Sequence, residues 1–166
     1  MSEVNKNIEV IIEIPVNSFL KYEFNQKSGL LELDRVLSSS MVYPGNYGYI
    51  PNTLADDGDC LDALVVVPYH INPMTSVKCR VIGALIMTDE KGIDEKIICV
   101  PSNKVDSNYS DILNVTDLHV NILNTIKHFF SNYKNTEKKG WSKVDKYVGH
   151  NEASNIISKY KLDLKS

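Results

Sequence analysis

Cysteine is scarce in this 166-residue sequence, and the three present, Cys60, Cys79 and Cys99, show no C-x-x-C spacing. An odd count without paired spacing argues against a disulfide framework and a zinc cluster, and fits a reducing cytoplasm. Cys79 and Cys99 read as small buried thiols. Long apolar stretches are missing too. Runs such as Leu61 to Pro68 are far too short to span a bilayer, so no membrane association is expected. Between Met1 and Ile8 no apolar run follows a basic stretch, so no secretory signal is expected. An excess of one charge is also lacking, with 21 acidic against 18 basic residues and a formal net charge of −3. That balance gives no bulk attraction to nucleic acid or to an anionic membrane. Any anion bound here must be held by a local basic cluster.

What is present suffices for one globular domain spanning 1–166, since 43% of the residues are hydrophobic. From Ile8 to Pro101 short β-rich segments alternate with turn residues, the pattern of a barrel or sandwich and not of βαβ units. The expected strands are Ile8 to Ile14, Lys21 to Asn25, Leu30 to Val36, Ala63 to Val67, Ser76 to Met87 and Glu95 to Val100. Gln26 to Gly29 and Asp89 to Gly92 supply tight turns. The period then changes. Leu123, Ile126, Phe129, Phe130 and Tyr133 recur at helical spacing, which predicts an amphipathic helix from Asp117 to Lys134 capped by Thr116 or Asp117. Ala153, Ile156, Ile157 and Tyr160 predict a second, shorter helix that starts near Gly149 and Asn151. The fold class is therefore mainly β with α: a small β-barrel with two C-terminal helices packed on it.

The densest chemistry lies in Asp56-Asp57-Gly58-Asp59-Cys60-Leu61-Asp62-Ala63, four carboxylates in a turn before an apolar strand. Gly58 allows a tight turn, so Asp57, Asp59 and Asp62 can converge. Crowded carboxylates need a compensating cation. Oxygen ligands without His or Cys favour a hard ion, magnesium, manganese or calcium, over zinc. Surface turns are also often Asp-rich simply because Asp caps and solvates them. A calcium-binding EF-hand fails on detail: the twelfth position counted from Asp57 is Pro68, not Glu, and a strand follows where a helix should. A second acidic turn, Asp89 to Lys96, includes Asp89, Glu90, Asp94 and Glu95. Alone it would be an ordinary polar hairpin loop. Two such loops facing each other could share ions, and shared ions activate water and neutralise a phosphoryl group in transfer.

Basic and hydroxyl groups indicate the anion. Lys21 and Glu23 alternate along one strand and so share a face, with Arg35 on the partner strand. Tyr43-Pro44-Gly45-Asn46-Tyr47-Gly48-Tyr49-Ile50-Pro51 concentrates phenol hydroxyls on a constrained Gly/Pro loop. Tyr133 and Lys134 end the long helix, where the helix dipole alone would favour a Lys.

Taken together these motifs resemble the family I soluble inorganic pyrophosphatases of bacterial type. The resemblance runs through Ile12-Glu13-Ile14-Pro15, Lys21-Tyr22-Glu23, Asp34-Arg35, the Tyr43 to Ile50 stretch, Asp57-Gly58-Asp59-x-x-Asp62, Met87-Thr88-Asp89-Glu90 and Lys96. It implies a five-stranded OB-type β-barrel flanked by the two helices, and hydrolysis of pyrophosphate to two phosphates with several Mg2+ ions, Mn2+ as a substitute. By the same resemblance Asp57, Asp62 and Asp94 hold the tightest metal, with Asp89 and Glu23 serving further ions. Asp59 is the general base, and Lys21, Arg35, Tyr47, Lys96, Tyr133 and Lys134 contact the substrate phosphates. Glu13, Tyr43 and Glu90 complete the polar shell. A homohexamer is the implied assembly. The position after Asp59, usually Pro in bacterial members, is Cys60 here, which should leave that loop somewhat more mobile. His70, His119, His128 and His150 lie outside the motifs and are expected at the surface or at an interface. A nucleic-acid-binding OB module would want a net basic groove and has no use for clustered aspartates, so the acidic turns argue against it.

Overall fold

The structure is a computed structural model that describes residues 7–134 and 140–163. Among the described residues there are eight strands: β1 (Asn7–Ile14), β2 (Leu20–Asn25), β3 (Leu30–Val36), β4 (Asn46–Ile50), β5 (Leu61–Val65), β6 (Ser76–Asp89), β7 (Gly92–Pro101) and β8 (Ser142–Gly149). The two helices are α1 (Val120–Asn132) and α2 (His150–Tyr160). Among the described residues no helix is long and apolar enough to cross a membrane.

Five strands close a ring in the order β1-β4-β5-β7-β6, with β6 returning to β1. Every ring pairing is antiparallel except β5 with β7. This is the barrel expected from the sequence. β8 adds to the outer edge of β6, and β2 with β3 forms a separate hairpin. Alternation places Val10, Ile12, Ala63, Val65, Ile97 and Cys99 in one core, against which Ala153 and Tyr160 of α2 pack. Leu64, Leu85 and Ile98 point the other way, into a second core completed by Ile126, Phe129 and Phe130 of α1. Cys79 and Cys99 are buried free thiols, as expected.

Three elements differ from the sequence reading. The Tyr43 to Pro51 stretch, which its Gly and Pro content predicts as a ligand-presenting loop, contains β4, a ring strand held between β1 and β5. Its Gly and Pro residues obscured the strand, and long-range pairing overrode their poor β-propensity. β8 was not expected; its alternation breaks at Asp145 and Lys146, both exposed, where its register against β6 shifts. The first helix begins at Val120 and not at Asp117. Val115–Asp117 is a separate 3-10 turn capped by Asn114, and extended Leu118 breaks it from α1, which His119 caps.

Close approach of β1 to β4 depends on Gly48, which pairs with Ile12 beside a β-bulge. A Cβ added there would meet the Ile11 carbonyl oxygen at 1.8 Å, so a backbone strand would have to move. Gly48→Ala should destabilise the fold by about 3 kcal/mol or more. Chemical denaturation giving a loss under about 1 kcal/mol would show that the ring tolerates a wider spacing here.

Candidate active site

The parallel pairing of β5 with β7 places Asp62 opposite Lys96. Asp94 lies two residues earlier on β7 and so shares a face with Lys96. The Lys96 ammonium is 3.1 Å from Asp62 Oδ2 and 3.1 Å from Asp94 Oδ2, and it donates to the Tyr47 hydroxyl at 2.7 Å. It also lies over the rings of Tyr47 and Phe130. Only 2% of Lys96 is exposed. Burial alone would favour the neutral amine. The Tyr47 hydroxyl and the Asp62 and Asp94 carboxylates outweigh it and hold the lysine well above its ordinary range.

Behind this group the aromatic side chains lock together. Tyr43 packs on Tyr47 and Phe129, and Tyr133 packs on Phe129 and Phe130. Burial raises the pKa of Tyr43, Tyr47 and Tyr133, so all three stay protonated donors at neutral pH. At the end of α1, Lys134 repeats the lysine theme, 3.2 Å from Asp89 Oδ2 and 3.5 Å from Glu90 Oε1. The β6–β7 hairpin turn supplies both carboxylates. Burial pushes Asp89 up, but the Lys91 amide and the Lys134 ammonium bring it below the usual range.

Asp57 lines one narrow cleft with Asp62 and Asp94. Asp59 sits beside it, its pKa raised by burial and then by Asp57 and Asp62, with Lys91 and Lys21 opposing. The β2–β3 hairpin is tied to β1 where the Phe24 N–H donates to Glu13 Oε2 at 2.7 Å. Burial, reinforced by Asp62 and Glu23, lifts Glu13 to about 7 against the help of the Phe24 amide. Lys21 and Arg35 are paired across the hairpin, and both approach Asp34 Oδ2, at 3.3 and 3.4 Å.

Direct contact therefore joins Asp62, Asp94, Lys96 and Tyr47, and separately Asp89, Glu90 and Lys134. Lys21 and Arg35 converge on Asp34, a residue that the sequence marks only as part of the Asp34-Arg35 motif. Glu23 faces Glu32 across the hairpin and is exposed. Among the described residues no three His, Cys, Asp or Glu side chains close in as a finished ligand cage, and the Lys96 ammonium bridges Asp62 and Asp94. His70, His119 and His128 are exposed and His150 is partly exposed, away from these contacts. The sequence reading missed the Tyr160 contact with Asp56 and the Trp141 amide contact with Glu90. Residues 104 and 51 positions apart leave no local signal.

The inorganic pyrophosphatase family model matches residues 10–165. The inorganic pyrophosphatase of Campylobacter jejuni is 45% identical over 159 residues, covering 96% of this chain and 92% of that protein. That of Pseudomonas aeruginosa is 46% identical over 158 residues, covering 95% of this chain and 90% of that one. The solved inorganic pyrophosphatase of Helicobacter pylori superposes with a TM-score of 0.91 at 41% identity, covering 93% of this chain and 91% of the other. A family match along almost the whole chain, together with an equally complete likeness in fold, means that the chain belongs to the inorganic pyrophosphatase family.

Proposed function

We propose that this chain hydrolyses inorganic pyrophosphate to two phosphates, with divalent cations held by Asp57, Asp62 and Asp94. One observation carries the reading beyond family membership: two carboxylates from adjacent parallel strands already grip a buried positive charge at 3.1 Å each. The donor set fits a hard ion. It is all oxygen, anionic, and gathered on one cleft with Asp57. Asp89 and Glu23 would hold further ions. When bound, such ions offset phosphate charge and lower the pKa of water.

The chain's own residues do the rest. Lys96, Lys134, Lys21 and Arg35 exchange their carboxylate partners for phosphate oxygens, and the Tyr47 and Tyr133 hydroxyls donate to the same anion. Asp59, partly open to solvent, accepts the proton of the attacking water. Tyr43, Glu13 and Glu90 hold these donors in place. No protein nucleophile is needed, because phosphoanhydride hydrolysis rests on positioning and charge neutralisation. Magnesium as the working ion, a homohexameric assembly and a cytoplasmic setting extend the same reading.

Phosphate release from pyrophosphate should require a divalent ion and vanish in excess EDTA. Asp59→Asn should depress kcat by about a hundredfold or more while keeping metal affinity, since an amide cannot take a proton. Asp62→Asn should weaken metal binding, and high magnesium should restore much of its rate. Matching magnesium rescue curves for the two variants would remove Asp59 as the base.

Glu13 gives a pH signature. Its folded pKa of about 7 lies above the unfolded value of 4.5, so the folded chain binds the extra proton. Its full contribution is present below pH 4.5. Stability is lost as pH rises towards about 7 and is flat above that. In EDTA, Glu13→Gln should match the parent near pH 4.5 and exceed it by roughly 2 kcal/mol at pH 8, after allowance for partial solvent access. A pH-independent difference in thermal melts would contradict this.

A further inference from the structure

The aspartate cleft is also lined by a phenol with no part in the chemistry above. Tyr160 ends α2 and is 9% exposed. Its hydroxyl donates to Asp56 Oδ2 at 3.2 Å, lies 3.5 Å from Glu95 Oε1, and accepts from Lys159 Nζ at 3.4 Å. Asp56 immediately precedes Asp57, and Glu95 immediately follows Asp94. One hydroxyl therefore touches both segments that carry cleft aspartates. Glu95 Oε2 is buried with no hydrogen-bond partner among the described residues, and the phenol oxygen lies beside the Oε1 of the same carboxyl.

The backbone repeats the tie. The Leu54 N–H donates to the Tyr160 carbonyl at 2.9 Å, and the Leu162 N–H donates to the Asn52 carbonyl at 2.9 Å. Between them Thr53 forms a β-bridge with Lys161. The buried Thr53 hydroxyl donates to the Ile50 carbonyl at 2.6 Å and accepts from the Leu61 N–H at 2.9 Å. Both ends of the acidic turn are thus pinned, and the strap running from Tyr160 to Leu162 is fastened to the turn's entry. Tyr160, Asp56 and Glu95 line the same cleft as Asp57, Asp62 and Asp94.

We infer that Tyr160 is a positioning residue for divalent-cation binding: its hydroxyl fixes the spacing between the Asp56–Asp57 turn and the Asp94–Glu95 strand end. It does so given that Asp57, Asp62 and Asp94 hold the ion as proposed above. Tyr160→Phe keeps the ring in the core shared with α2 and removes only the hydroxyl.

The test is Mn2+ binding to the full chain without substrate, followed by electron paramagnetic resonance, for the parent, Tyr160→Phe and Asp94→Asn. Tyr160→Phe should weaken Mn2+ binding about tenfold, as loss of an outer-shell partner does, with kcat at saturating metal nearly kept. Asp94→Asn should weaken it further. In an Asp56→Ala background Tyr160→Phe should cost less than in the parent, because the two act as a unit. Weaker binding by Asp94→Asn with a change below about twofold for Tyr160→Phe overturns the positioning role and leaves the ligand assignment standing. Unchanged binding in both overturns the ligand assignment and this inference with it. Should Tyr160→Phe not fold, as judged by thermal melting in EDTA, Asp56→Ala alone is compared with Asp56→Asn. The Asn variant keeps an acceptor for the phenol and should bind Mn2+ more tightly than the Ala variant; equal binding overturns the inference.

Discussion

The ammonium of Lys96 is the charge around which the site is organised. It is almost wholly buried, and a buried cation is tolerated only where anions and hydrogen bonds replace its water. Asp62, Asp94 and Tyr47 do so from three different ring strands, β5, β7 and β4. Removing one partner of such a group is costly, typically about 3 to 5 kcal/mol, because the remaining charge stays buried. The register of β5 on β7 is therefore constrained twice, by its apolar faces and by this ion pair. A one-residue slip would turn Asp62 into the core and strand the lysine.

The same logic explains why the polar cluster sits where it does. The ring buries apolar residues on two sides, one core under α2 and one under α1. Polar side chains at the N-terminal end of β7 and at the β6–β7 turn lie at the rim of these cores, where desolvation is partial. Lys134, delivered by the end of α1, meets Asp89 and Glu90 there. Helix packing through Phe129 and Phe130 and the hairpin turn thus meet in one ion cluster, and rigid elements hold it instead of a free loop.

How much of this was legible in the sequence follows from the range of each interaction. Strands with clean alternation, such as Val10, Ile12 and Ile14 in β1, announced themselves. β4 did not, because Gly48 is required by a neighbouring strand and not by anything local. β8 did not, because a register shift against β6 leaves Asp145 and Lys146 both exposed and breaks its alternation. The start of α1 was misplaced because Thr116 and Asp117, read as its cap, belong to a separate 3-10 turn that Asp117 closes in a capping box with Asn114. In the site, local motifs named the right residue types, yet their partners were invisible. Lys21 and Arg35 both turn to Asp34, and Lys96 to two aspartates, which only tertiary pairing decides.

Cys60 shows what one loop residue can do when its partner is distant in sequence. Proline at that place would stiffen the signature loop through its own ring. The thiol instead lies 3.8 Å from the Gln26 side-chain amide at the tip of the β2–β3 hairpin. That hairpin also carries Lys21, Glu23 and Arg35, and it is tied to β1 by the Phe24 amide on Glu13. A sulfur acceptor is weak, so the contact adds little to stability. Its effect is geometric: loop and hairpin are linked directly at one point and through Glu13 and β1 at another. Cys60 restrains no dihedral of its own but ties two elements, and the spacing between the aspartate turn and the Lys21–Arg35 pair depends on both.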